Sequence, residues 1–163
     1  MDSNKFKAAL GVLRLSMGLV FLWAFVDKVW GLGFATAPEG AWLSGGSPTT
    51  GFLSFGVHGP FTGFFNSLAG SGLVDWLFML GLLFVGITLT LGIMARLGAY
   101  VGALMYFLMY LALIPPEHHP FIDDHFVNFF IMLALAWSTP GKYFGLGNQW
   151  WRTPLVQKYP WLA

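Results

Sequence analysis

The sequence predicts an all-α membrane protein, a bundle of four transmembrane helices in up-and-down order that forms a single integral membrane domain over residues 1–163. Hydrophobic residues make up 56% of the chain and charged residues only 9%, which is far from the balance of soluble domains. Four apolar runs each approach the ~20 residues that cross a hydrocarbon core as a helix. The predicted spans are about 8–30, 73–94, 97–114 and 121–137, and the short connections after the second and third favour antiparallel neighbours.

The first span and the loop after it need separate justification. Lys5 and Lys7 precede the first run as they would in a signal peptide, but the run is too long and lacks a small-residue cleavage site. We therefore expect a retained helix. The outer loop, residues 31–72, has roughly forty residues, too many for a structureless connection in so small a protein. Segment 47–50 and Pro60 are typical helix starts, so the sequence predicts short interfacial helices with an apolar, phenylalanine-rich face.

Lysine and arginine predict the orientation, because positively charged loops stay in the cytoplasm. In the four-span arrangement, one side carries Lys5, Lys7, Arg96, Lys142, Arg152 and Lys158. The opposite side, residues 31–72 and 115–120, has no Lys or Arg. We expect a multi-pass protein of the cell membrane with both termini cytoplasmic, including the tail at 138–163. The net charge of +1 and the absence of a basic stripe indicate no nucleic-acid partner, and the expected surroundings are the lipid bilayer.

Charged residues within the apolar runs predict where a site lies, because each is costly in hydrocarbon unless it is paired or hydrated. The four-span order brings the outer ends of the first, second and fourth spans to one level. That level would hold Asp27, Lys28, Asp75, Asp123, Asp124 and His125. Helical spacing also directs Arg14 and Lys28 into one interior.

The start of the fourth span contains the densest group of polar residues. Asp124 and Asn128 share a helix face, and His125 lies three residues before Asn128. A helix N-cap explains one of the two aspartates, but it explains the pair together with His125 and Asn128 less well, which favours a functional site at this level. We predict that Asp124 and His125 are catalytic. The predicted substrate- or quinone-binding residues are Arg14, Lys28, Asp75 and Asn128.

Other kinds of site fit the sequence less well. A metal could draw on His118, His119 and the residues 123–125, but Pro120 interrupts the helix and no established ligand spacing is present. Bis-histidine haem would need two axial histidines at membrane depth, and His125 is the only histidine within a predicted span. The sequence has no cysteine, which excludes thiolate clusters and redox dithiols. We expect no metal or haem, and a small apolar or amphipathic ligand such as a quinone.

Six segments in chain order carry a family resemblance. They are Arg14 with Phe-Leu-Trp-Ala-Phe-Val-Asp-Lys (21–28), Trp-Leu-Ser-Gly-Gly-Ser-Pro-Thr (42–49), Gly-Pro-Phe (59–61), Asp-Trp-Leu-Phe-Met-Leu-Gly (75–81), Pro-Phe-Ile-Asp-Asp-His (120–125) and Gly-Leu-Gly (145–147). Together they resemble the DoxX family, specifically its DoxD-like branch, over nearly the whole chain. His118 and His119 depart from the family's pattern.

The resemblance implies a four-span bundle and a role like that of the membrane subunit of thiosulfate:quinone oxidoreductase. That enzyme oxidises thiosulfate to tetrathionate, with quinone as electron acceptor, and has a second redox subunit. Asp124 and His125 would then handle protons, Lys28 and Arg14 would supply positive charge, and Asn128 would orient the ligand. The alternative is a non-enzymatic membrane scaffold or accessory subunit of a redox complex. Glycine pairs such as Gly98 and Gly102 fit packing either within one chain or in a homo-oligomer.

Overall fold

The computed structural model describes residues 3–138 and 140–162, and no strand occurs among them, which confirms the predicted all-α class. The described chain forms seven α-helices: α1 (Ser3–Trp30), α2 (Thr62–Ser67), α3 (Gly72–Leu91), α4 (Ala95–Ala112), α5 (Asp124–Trp137), α6 (Gly147–Trp151) and α7 (Pro154–Lys158). Shorter 3₁₀ or π-helical turns cover Pro38–Gly40, Trp42–Ser44, Phe52–Gly56, Pro140–Lys142 and Pro160–Leu162.

Three of the described helices are long and apolar enough to cross a membrane. They are α1 from Asn4 to Trp30, α3 and α4, with 27, 20 and 18 residues. These helices indicate a multi-pass membrane protein. The fourth apolar helix, α5, has 14 residues, a length of about 21 Å against a hydrocarbon core of about 30 Å. It is shorter than the predicted span because the chain stays extended through Asp123 and becomes helical only at Asp124.

The turn between α3 and α4 ends the second predicted span earlier than expected. Gly92 adopts a left-handed conformation with φ 75° and caps α3, as glycine commonly does at a helix C-terminus. Met94 is also left-handed, with φ 53°, and precedes the first residue of α4. The two left-handed residues reverse the chain within a few positions, so α3 and α4 run antiparallel.

The long helices pack in chain order, with α1 against α3, α3 against α4, and α4 against α5. Gly102 of α4 permits the closest approach at their centre. A Cβ at this position would overlap Met132 of α5, and it would lie 3.1 Å from Val85 of α3 and 3.5 Å from Phe21 of α1. Side chains of α1, α3 and α5 therefore meet at Gly102 of α4, and this small residue serves packing within one chain.

The loop over residues 31–72 is folded, as predicted. The Ser47 hydroxyl accepts the backbone N–H of Thr50 at 3.0 Å, and a helical segment runs from there to Gly56. The second predicted helix is α2, which begins two residues after Pro60. Both elements are short because glycines interrupt the apolar sequence around them.

A second, smaller core attaches this loop to the ends of α3 and α4. Leu53, Val57 and Phe65 are buried in it together with Ala112 of α4. Other aromatic side chains of the loop face outward, such as Phe55, which is 90% exposed. The loop therefore presents the outward apolar surface that the sequence predicts for an interfacial segment.

Residues 140–162 return to the turn between α3 and α4. Gly141 lies against Gly92, and the N–H of Leu146 donates to the Leu91 carbonyl at 2.8 Å. Val156 and Leu162 are buried. This tail places the C-terminal end of α5 beside the start of α4.

Candidate functional site

The packed helices have two distinct ends. The loop end, covered by residues 31–72, contains the C-terminal ends of α1 and α4 and the N-terminal ends of α3 and α5. The tail end, covered by residues 140–162, contains the opposite ends of the same helices. Most of the residues that the sequence analysis selected lie at the loop end.

Asp123 makes two contacts at the start of α5. Its Oδ1 accepts the backbone N–H of Phe126 at 2.8 Å, which caps the helix. Its Oδ2 lies 2.9 Å from Nδ1 of His125. A carboxylate that holds Nδ1–H orients the imidazole and leaves Nε2 free to accept or donate a proton. One residue therefore both starts the helix and orients the histidine.

The ring of His125 lies beside Tyr106 of α4, with 6.2 Å between ring centroids. Tyr106 packs edge-on against Phe21 of α1 at 5.3 Å. The side chain of His125 is 23% exposed, so protein surrounds most of it while part stays accessible. The Tyr106 hydroxyl makes no hydrogen bond within the described chain. Sequence reasoning missed Tyr106, and the signal available for it was a polar aromatic residue inside an apolar span.

Lys28 reaches the same end of the helices from α1. Its ammonium lies over the ring of Phe78 of α3, 5.9 Å from the centroid. It forms no ion pair or hydrogen bond with any described residue. Because a cation–π contact leaves the N–H donors available, a half-buried Lys28 combines positive charge, free donors and an aromatic neighbour.

Two buried carboxylates hold the loop in place. Oδ1 of Asp75 accepts hydroxyl hydrogen bonds from Ser47 at 2.8 Å and Thr49 at 2.5 Å. Asp27 accepts the backbone N–H of Ala35 at 2.9 Å. Asp75 thus lies at the predicted level, and its contacts join the loop to α3. Its role in ligand binding stays a prediction.

The structure does not bring Arg14 to the loop end. Arg14 is 0% exposed, and its Nη1 donates to the Leu89 carbonyl of α3 at 2.7 Å. Its Nη2 donates to the carbonyls of Tyr143 and Phe144 at 3.0 and 2.9 Å. Fourteen residues of helix separate it from Lys28, about 21 Å along the axis. Arg14 therefore joins α1, α3 and the tail.

Asp124 and Asn128 have no such contacts. Asp124 is the first residue of α5 and is exposed, and Asn128 is half-buried one turn further on. Neither side chain forms a hydrogen bond with the described residues. Asp123, and not Asp124, contacts His125, because the extended backbone at Asp123 directs its side chain over the first helical turn. The catalytic role of Asp124 and the ligand role of Asn128 stay predictions.

The remaining histidines of this region lie apart from His125. Nδ1 of His119 accepts the backbone N–H of Phe121 and Ile122 at 3.1 and 3.0 Å. His118 is exposed. In residues 3–138 and 140–162, no group of three or more His, Asp or Glu side chains is arranged to hold a metal ion.

Comparison with known proteins yields no relative for this chain. No protein-family profile matches it, and no curated protein or solved structure is significantly similar to it. The functional interpretation therefore depends on the side chains at the loop end and on the sequence motifs, and the resemblance to the DoxX family stays a prediction.

Proposed function

We propose that the protein is the membrane subunit of a quinone-linked oxidoreductase of the DoxX type. The observation that carries this proposal is His125, oriented by the Asp123 carboxylate and packed beside Tyr106. Reduction of a quinone to a quinol takes up two electrons and two protons. Histidine is the side chain best suited to proton transfer near neutral pH, and His125 has its Nε2 free for that task.

The loop end offers groups that suit a ring-shaped ligand. Tyr106 offers an aromatic ring beside His125, and Lys28 and Asn128 at the same end of the helices offer N–H donors without protein partners in the described chain. Ligand sites commonly combine apolar walls with a few polar groups that fix orientation. In our proposal Lys28 and Asn128 donate to the carbonyl oxygens of the quinone, and His125 delivers protons to them.

The electron donor in this proposal is thiosulfate, as the family resemblance implies. Two thiosulfate ions join through a new sulfur–sulfur bond to form tetrathionate and release the two electrons that one quinone accepts. Lys28 provides the positive charge that attracts an anion. Since the chain has no cysteine, the electrons pass directly between bound partners or through a second redox subunit.

The reaction can be tested with purified protein in detergent, thiosulfate and a short-chain quinone. We expect one quinol for each tetrathionate formed, measured by quinone absorbance and by ion chromatography. Protein without thiosulfate, and thiosulfate without protein, are the controls. A preparation that reduces no quinone, even when the second subunit is supplied, would exclude the proposed reaction.

Asp123→Asn tests which aspartate acts with His125. Asn caps a helix about as well as Asp, so we expect α5 to stay intact. The neutral amide is a weaker acceptor for the Nδ1–H of His125 than the carboxylate, so the imidazole is oriented less firmly, and we expect turnover to fall by about tenfold or more. Asp124→Asn, with the same change one position later, is the matched control. A loss confined to Asp124→Asn would instead support the pair predicted from the sequence.

The second candidate function is a non-enzymatic scaffold or accessory subunit. The observation in its favour is that Arg14, Asp27 and Asp75 all hold backbone or hydroxyl groups of the same chain. In that case Asp123 serves only to cap α5. The two functions differ in their response to substitutions at His125, because only the enzyme requires a proton carrier there.

We also propose that α5 completes a four-helix transmembrane bundle with both termini in the cytoplasm. The tail supports this, since it places the end of α5 at the turn between α3 and α4. Exposed apolar side chains flank the helix, with Phe121 at 71% and Trp137 at 70%, as is common at membrane interfaces. Every Lys and Arg except Lys28 belongs to the tail end, which favours a cytoplasmic tail.

The absence of native cysteine permits a direct test of this topology. Glu117→Cys lies between α4 and α5, and Gln149→Cys lies in α6; both positions are exposed. In intact cells we expect a membrane-impermeant maleimide to label only Glu117→Cys. Gln149→Cys should react after permeabilisation. Labelling of both from one side would show that α5 does not cross the membrane.

A further inference from the structure

The tail end concentrates positive charge. Residues 138–163 contain Lys142, Arg152 and Lys158 and no Asp or Glu. Lys5 and Lys7 of α1 and Arg96 of α4 lie at the same end. All carboxylate side chains of the described residues lie in the loop, in the connection before α5 or at the loop end. The tail end is therefore a strongly cationic surface.

One of these cations contacts the Trp151 ring, and two others, Arg152 and Lys158, lie in the segment that follows it, with the Lys158 ammonium 5.4 Å from the centroid of the Tyr159 ring. The ammonium of Lys142 lies 4.1 Å from the centroid of the Trp151 ring. Arg152 follows Trp151 in the chain and is exposed. Nε2 of Gln157 donates to the Trp151 carbonyl at 2.8 Å, which holds α7 and its last residue, Lys158, next to α6. We call Lys142, Trp151, Arg152 and Lys158 the Trp151 cluster.

The cluster belongs to a folded part of the tail. Trp150 Nε1 donates to the Leu162 carbonyl at 2.7 Å, and Val156 and Leu162 are buried. Arg14 holds the segment before α6 through the carbonyls of Tyr143 and Phe144. The three cations are thus presented by a folded unit fixed to the ends of the long helices.

The tail that carries the cluster also exposes apolar side chains. They are Phe144, Leu146, Leu155, Tyr159 and Trp161. Because α1, α3 and α4 are long enough to cross the membrane, their ends lie near the interface. Aromatic and apolar groups beside cations are typical of segments that rest at the boundary between head groups and acyl chains.

We infer that the Trp151 cluster binds the head group of an anionic phospholipid. Arg152 and Lys158 contact the phosphate, Lys142 is held in position by the Trp151 ring, and the neighbouring apolar side chains contact the acyl chains. Cations beside an exposed apolar surface favour a partner that has a negatively charged head group and acyl chains at the same level of the membrane. The inference holds on either side of the membrane and does not depend on the proposed oxidoreductase function.

The test is a competition between two lipids for the delipidated protein in detergent. Phosphatidylglycerol and phosphatidylcholine with the same acyl chains are added in equal amounts, and bound lipid is counted by native mass spectrometry. We expect the wild-type protein to prefer phosphatidylglycerol. R152Q/K158Q should lower the ratio of the two bound lipids by about tenfold or more. K5Q/K7Q removes the same number of charges at the same end and should change the ratio by less than about twofold.

Three results would overturn the inference: no preference in the wild-type protein, an unchanged ratio in R152Q/K158Q, or equal losses in the two double variants. Equal losses would indicate that the anionic lipid is attracted by the positive charge of the whole tail end and not by the Trp151 cluster. Both substituted side chains are exposed, so we expect the variant to fold. A second measurement needs no variant: phosphatidylglycerol should raise Tm more than phosphatidylcholine, and about 0.5 M salt should remove the difference. An equal Tm with both lipids would also refute the site.

Discussion

His125→Gln is expected to lower thiosulfate-dependent quinone reduction by at least about 100-fold in a protein that stays folded. Glutamine keeps a polar side chain of similar size but cannot accept or release a proton at neutral pH. The histidine side chain is only 23% exposed, so the similar size of glutamine is what keeps the change in packing small. Initial rates of quinol formation measure the effect, and thermal unfolding shows whether the variant is folded.

His118→Gln is the matched control, since it makes the same change at an exposed histidine seven positions earlier. We expect wild-type rates for it. Full activity in His125→Gln would contradict the proposed proton donor and leave the scaffold as the better interpretation. Equal losses in the two variants would show that the assay does not report on the candidate site.

Arg14→Gln is expected to destabilise the protein by about 3 kcal/mol or more. Arg14 is buried and donates to four carbonyls, at 2.7, 3.4, 3.0 and 2.9 Å, whereas the side-chain amide of glutamine has only two N–H donors. The unpaired carbonyls then stay buried without a donor. For a chain of this size we expect Tm to fall by roughly 10 °C, and limited proteolysis should cleave the tail more rapidly.

Arg96→Gln makes the same substitution at the same end of the helices. Arg96 is half-buried and makes no hydrogen bond within the described residues, so we expect a change of less than about 0.5 kcal/mol. Arg14→Lys should fall between the two variants, because an ammonium keeps the charge but lacks the planar fork of donors. Unchanged stability together with lost turnover in Arg14→Gln would support the ligand-binding role predicted from the sequence.

The sequence was sufficient to predict the helical class and most helix positions. The second predicted span, 73–94, corresponds to α3 at Gly72–Leu91, and the third, 97–114, corresponds to α4 at Ala95–Ala112. Long apolar runs have few alternatives to a helix in a membrane, because every backbone N–H and C=O must be paired within the segment. The fourth span was predicted too long, since the apolar residues Phe121 and Ile122 precede the Asp123 cap.

Part of the candidate site was also predictable. Lys28, Asp75 and His125 were expected at one end of the helices, and they lie there because antiparallel neighbours bring alternate helix ends together. Composition and spacing could not reveal what each side chain contacts. Their level along the helices follows from the sequence, whereas their partners depend on neighbouring helices and on the loop.

Only the tertiary structure decided which polar residues act together. The side chain of Asp123 lies in an extended segment and reaches His125 over the first helical turn, a contact that helical periodicity does not describe. Tyr106 comes to His125 through the packing of α4 on α5. Arg14 is held at the tail end by carbonyls of Leu89, Tyr143 and Phe144, which are 75 or more positions away in the chain. Helix formation and membrane insertion follow from local composition, and the Asp123–His125 contact follows from the backbone at the start of α5, but the contacts of Tyr106 and Arg14 require the packed helices.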